Sequence, residues 1–192
     1  MAPAAERIVA ISCISVGIGP RGDTDMLARV AIVDFAGNTL LDVYVAPTHQ
    51  VTDYREAKTG IKSANLYSSR AQNIRVVYQT VCSILRNKVV VGHCLWQDLN
   101  VLGVAHPAKD TRDTALYLPF RTTLRTQQQV GLQTLNYRLL GLRCSEPYVD
   151  PLENARVALN LYRSYAANWE AAVSSRNWPC DLPPGRYSTN YN

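Results

Sequence analysis

The chain has 192 residues, 47% of them apolar, which suits one domain with a sizeable core and excludes a disordered polymer. No apolar run approaches the ~20 residues of a membrane span, and the opening Met1 to Arg7 does not read as a signal peptide, so an intracellular protein is expected. The net charge of +5 comes from basic residues scattered along the chain, which permits nucleic-acid contact but equally suits a solvated basic surface.

Ile8 to Val16 is a near-continuous apolar run, the pattern of a central strand covered on both faces. Gly17 to Gly22 reads as a turn, Leu27 to Phe35 as a second strand, Ala36, Gly37 and Asn38 as a hairpin connection, and Leu40 to Val45 as a third strand. A looser stretch, Pro47 to Ser69, holds short helical turns near Tyr54 and Ser63. A helix over Ala71 to Arg86 carries Ile74, Val77, Val81 and Ile84 on one face. Lys88 to Val91 is a buried strand, Leu95 to Val104 a helix, and Arg112 to Thr114 the end of a fifth strand. Leu132 to Leu140 is a helix stopped by Gly141. The last helix runs from Pro151 to Arg176, with Asp150 as N-cap and Glu153 as reciprocal partner. Its inner stripe includes Leu152, Ala155, Leu159, Tyr162, Ala166, Trp169 and Val173. Residues 179–192 turn polar and Pro/Gly-rich and read as a tail after a domain of residues 1–178. Cys13, Cys82, Cys94, Cys144 and Cys180 form no paired motif and are expected to be free thiols. Three antiparallel strands followed by alternating helices and parallel strands is the order of an α/β ribonuclease H-like fold, a mixed five-stranded sheet flanked by helices.

Ordered short motifs carry a family resemblance from Arg7 to Trp169. They include Val16 and Gly17 with Gly19 and Pro20, Val51 to Arg55 before Gly60 and Ile61, and Val91, Gly92 and His93 with Asp98 and Leu99. His106 and Pro107 follow, then Arg112, Asp113, Thr114 and Tyr117, and finally Glu153, Ala155, Arg156, Leu161 and Tyr162. The chain resembles the RNA exonuclease branch of the DEDDh 3′→5′ exonuclease superfamily, the branch of the ribosomal-RNA-processing and interferon-induced exonucleases. That resemblance implies two Mg²⁺ or Mn²⁺ ions held by four acids, with a histidine as general base. It places an Asp and a Glu two apart on the first strand, where side chains at i and i+2 share a face. Those places hold Ser12 and Ile14 here, and Ser15 stands for the family's Met. On the last helix Val149 takes the place of the His and Asn154 that of the Asp, leaving Asp98 of the five.

Asp150 and Tyr148 do not restore the pattern, since Asp150 is accounted for as the helix cap and Tyr148 is misplaced for the tyrosine-using sister class. Asp23 and Asp25 read as solvated loop residues, and His93 as a hydrogen-bonded structural histidine. Asp53, Tyr54, Arg55, Arg112 and Asp113 read as holding loops around the site by ion pairing. One carboxylate cannot balance four metal charges, so no cofactor is expected and metal at Asp98 would be weak. The resulting expectation is a catalytically inactive exonuclease-like domain, not an enzyme, serving as a protein-interaction or scaffolding module through a protein partner or self-association. Two alternatives stand beside it. One is an RNA-binding module using the old cleft, with Ser15, Trp96, Gln97, Asn100, Arg121 and Arg125 as contacts for single-stranded RNA. The other is a residual metal-dependent 3′→5′ exonuclease acting on single-stranded RNA or DNA. The resemblance favours the nucleus.

Overall fold

In the computed structural model, which describes residues 2–143 and 148–191, the first apolar run becomes β1 (Ile8–Ile18) at the centre of a sheet. It pairs antiparallel with β2 (Thr24–Asp34), which pairs antiparallel with β3 (Thr39–Tyr44). On its other side β1 pairs in parallel with β5 (Val89–Gly92), and β5 with β6 (Thr111–Asp113). The sheet order is therefore β3-β2-β1-β5-β6. A sixth strand, β4 (Val51–Asp53), pairs antiparallel with the far end of β1. Three residues are too few to display an alternation, so this strand is invisible in the sequence pattern. Its pairing also keeps Gly17 and Ile18 in β1, where a turn is expected. Gly17 has no side chain to collide with the Gly22 carbonyl, and so lets the following turn fold back onto the strand.

Two short helices, α1 (Glu56–Thr59) and α2 (Ser63–Leu66), follow β4. α3 (Ile74–Leu85) is capped by Asn73, whose side chain accepts from the Arg75 N–H at 2.9 Å, and it buries Val77, Val81 and Leu85. With α4 (Leu95–Leu102) it covers the sheet face that presents Val9, Ile11 and Val90. The opposite face presents Ile8, Ala10, Val33 and Val91. It packs against α5 (Leu118–Thr123), α6 (Leu132–Leu140) and α7 (Pro151–Ser174).

α7 crosses β1, β2 and β5. Its start is built as the sequence reads, with Asp150 accepting from the Glu153 N–H at 2.9 Å and Pro151 at the first helical position. Asp150 also accepts from Arg29 at 2.8 Å, so the cap ties the helix to β2. Deeper along α7, Trp169 stacks on Tyr117 with ring centroids 3.8 Å apart, and Tyr162 meets it edge-on. Arg112 on β6 forms a buried two-pronged ion pair with Glu170, at 2.6 and 2.9 Å.

The polar C-terminal stretch folds back onto the body. The Asp181 N–H donates to the Leu116 carbonyl at 2.8 Å, and the His106 N–H to the Asn190 carbonyl at 2.9 Å. A 3-10 turn over Gly185–Asn190 lies between these anchors. Cys13, Cys82, Cys94 and Cys180 are free thiols, and Cys144 lies outside the described residues.

Candidate nucleic-acid cleft

A cleft of about 470 Å³ opens where the middle of β1 meets the starts of α4, α6 and α7. Ser12 and Ile14 reach it from β1, as their i, i+2 spacing requires. Just beyond Ile14 the β1–β2 register shifts in a bulge, and Ser15 also lines the cleft. Asp98 and Gln97 come from α4, Gln133 from α6, and Val149 and Asn154 from the start of α7. All five positions singled out by the resemblance thus converge on one cavity.

Asp98 is 7% exposed. Its Oδ1 accepts from the Cys13 N–H at 3.0 Å, while Oδ2 has no hydrogen-bond partner among the described residues. Burial pushes its carboxyl well above the usual range, so the ionised form calls for a cation opposite it. His93 also lines the cleft. Its Nδ1 is 3.0 Å from Thr114 Oγ1, whose hydroxyl proton is directed to the Gly92 carbonyl at 2.9 Å. The His93 Nδ1–H therefore donates to Thr114, and burial holds the imidazole neutral by lowering its pKa to about 4. Asp113 accepts from the N–H groups of Cys94, Leu95 and Ala115 at 2.7–2.9 Å, and so fixes the left-handed turn at Cys94 from which α4 starts. Burial raises its carboxyl to about 7 against the pull of those three donors.

The far wall is charged. Arg55, held in the left-handed region at φ 51° with its N–H on Asp53 Oδ1, donates to Ser15 at 2.9 Å and pairs with Asp25 at 2.7 Å. Lys58 lines the same wall. Asp25, read from sequence as a solvated loop residue, lies on β2 and faces this pair. Arg112 pairs with Glu170 as an ion-pairing role requires, whereas Asp113 is served by backbone N–H groups.

Of the RNA contacts expected from sequence, Ser15 and Gln97 line the cleft. Trp96 does not. It is 3% exposed and packs behind α4 against Ala115 and Leu116, because one residue along a helix turns the side chain by about 100°. Asn100 and Arg125 are exposed outside the cleft lining, and Arg121 is tied to Asp181 at 2.8 Å. The structure adds Lys58, Arg186 and Tyr187, and Arg55, read from sequence as holding a loop around the site, also lines the cleft. Arg186 and Tyr187 come from the stretch that composition alone marks as a tail.

Ile14 and Val149 belong to one apolar cluster with Val16, Ala28, Val51, Ile61 and Leu66. They fill the place of two ligating or basic groups with hydrocarbon. The groups that would hold a hard cation are the unpartnered Asp98 Oδ2 and the neutral oxygens of Ser12 and Asn154 on the same cleft, Asn154 Oδ1 accepting from Gln133 at 3.4 Å. One carboxylate leaves too little negative charge for a second cation. Among the described residues no three His, Cys, Asp or Glu side chains gather to hold a metal.

No protein-family model matches the chain. RNA exonuclease 4 of Mus musculus is 36% identical over 180 residues, spanning 94% of this chain and 41% of that protein. Apoptosis-enhancing nuclease of Homo sapiens is 35% identical over 182 residues, spanning 93% of this chain and 55% of that one. Among solved structures, the Saccharomyces cerevisiae Pan2 pseudoubiquitin hydrolase–RNA exonuclease module matches with a TM-score of 0.74 and 30% identity, over 91% of this chain and 31% of that one. The chain thus spans about two fifths of the length of the RNA exonuclease 4 relatives it matches.

These similarities correct three expectations. A non-catalytic interaction module does not stand against relatives that are named RNA exonucleases and match nearly the whole chain. The reading as no enzyme falls with it. So does the expectation of no cofactor, since the chemistry that the resemblance implies is divalent-cation chemistry. No helix among the described residues is long and apolar enough to cross a membrane.

Proposed function

Because the chain belongs to the DEDDh-type RNA exonuclease family, we propose that its cleft receives the 3′ end of single-stranded RNA and trims it in the 3′→5′ direction with a divalent cation. One observation carries this reading: Asp98, with a buried, unpartnered carboxylate oxygen, lines a cleft that Arg55 and Lys58 also line. Bound there, the cation supplies Lewis-acid polarisation and offsets charge at the scissile phosphate.

The chain's own residues do the positioning. Asp98 holds its carboxylate against β1 through the Cys13 N–H, so the free oxygen is aimed by the sheet and not by a loop. Arg55 and Lys58 meet the phosphate backbone, Arg55 held in place by Asp25 and Ser15. The Ile14 and Val149 surface excludes water from one side of the strand end. One carboxylate balances little of the cation's charge, so turnover is expected to be slow. The name of the RNA exonuclease 4 relatives favours RNA over DNA, and a nuclear site of action is proposed from the family resemblance alone.

A 5′-labelled oligoribonucleotide incubated with excess protein and Mn²⁺ tests this. Shortening from the 3′ end is expected, reduced by about 10²-fold or more in Asp98→Asn. Binding without metal-dependent shortening would confine the cleft to RNA binding and sink the trimming step.

A further inference from the structure

Arg186 and Tyr187 are the part of the cleft that neither the motif nor the chemistry above uses. They stand on the C-terminal segment, which is pinned to the body on both sides of them. Upstream, Asp181 pairs with Arg121 at 2.8 Å and donates its N–H to the Leu116 carbonyl. Downstream, the Asn190 side chain donates to the Trp96 carbonyl at 3.0 Å. Tyr187 and Tyr191 also pack against the back of α4 at Trp96. The helix that aims Asp98 into the cleft therefore also positions the segment that carries Arg186 and Tyr187 to its rim.

Their chemistry differs from that of the opposite wall. Arg55 is neutralised in part by Asp25, whereas Arg186 makes no ion pair among the described residues. Its guanidinium lies 4.8 Å from the Tyr187 ring centroid, which holds the charge over a half-buried aromatic face. A fixed aromatic plane beside an uncompensated cation is what a nucleotide needs, a stack for the base and a partner for the phosphate. The backbone and Asn190 make the anchoring hydrogen bonds and Tyr187 adds packing against Trp96, so the Arg186 guanidinium has no part in holding the segment.

We propose that Arg186 and Tyr187 clamp the RNA strand in the cleft, Tyr187 stacking on a base and Arg186 pairing with a backbone phosphate. The proposal rests on the RNA reading of the cleft and extends it to the C-terminal segment. The test measures binding of a fluorescent single-stranded oligoribonucleotide by the full chain without metal, over a series of salt concentrations. Arg186→Ala should weaken binding and reduce the magnitude of the log–log salt slope by about 0.7, the share of one single-strand phosphate. Arg186→Lys should restore the slope. Tyr187→Ala should weaken binding about tenfold with the slope unchanged, and Tyr187→Phe should restore it. Thermal midpoints measured on Arg186→Ala and Tyr187→Ala must lie above the assay temperature, and Tyr187→Phe keeps the packing against Trp96, which keeps folding out of the comparison. Wild-type binding with normal affinity and slope in Arg186→Ala and Tyr187→Ala overturns the clamp and leaves the RNA reading standing. Absence of RNA binding by the wild-type chain overturns both.

Discussion

The imidazole of His93 shows how position sets charge in this cleft. Burial lowers its pKa to about 4, below the ~6.5 of an unfolded chain, so the unfolded state binds the proton first on acidification. Stability is then present above about pH 6.5 and is lost as pH falls toward 4. Between pH 7.5 and 5 the loss through this one group should be about 2 kcal/mol. Urea unfolding at the two pH values should show that extra loss in the wild type relative to His93→Gln; identical pH dependence in the two would remove His93 as the cause. The residues of the site were unevenly legible. Asp98, Ser12, Ile14, Val149 and Asn154 were grouped by the family resemblance, and i, i+2 spacing accounts only for Ser12 and Ile14 sharing a face of β1. Trp96 was read into the cleft because adjacency on a helix was taken for a shared face. Arg55 was placed around the site by the resemblance, whereas Lys58 carried no signal and is placed in the lining only by the fold.

At the scale of elements, α7 is joined to the sheet at two points of different character. Near its start, Asp150 both caps the helix and accepts from Arg29. Near its end, Glu170 is 5% exposed and holds Arg112 of β6 and the Tyr162 hydroxyl. Glu170→Ala leaves the guanidinium buried without its carboxylate and should cost about 3–5 kcal/mol, lowering the thermal midpoint by about 10 °C. Replacing both partners, as Arg112→Met with Glu170→Leu, should recover most of that. Calorimetry on the single and double variants decides it: if the double is no more stable than the single, the penalty does not arise from an unpaired charge. The long elements were legible because their burial patterns repeat over enough residues to be recognised. β4 and α5 were not, since three and six residues complete too little of a period.

For the whole molecule the C-terminal segment decides most. Trp96 and Tyr117 are 3% and 2% exposed, and residues 180–191 contribute to covering both. A chain stopped after Trp178 should therefore melt at least about 5 °C lower, each uncovered aromatic forfeiting about 1–3 kcal/mol of burial. An unchanged midpoint would show that the segment adds nothing to the folded unit. Local sequence was enough to determine the long strands and helices, because apolar periodicity, capping residues and glycine stops act over a few residues, while the five positions around the candidate metal site followed from the family resemblance. What closes the cleft opposite Asp98 was settled only in three dimensions. Arg55 reaches it through the pairing of β4 with β1, and Arg186 and Tyr187 through a polar segment held by isolated backbone hydrogen bonds. Such contacts join residues far apart in the chain and leave no repeating pattern along it.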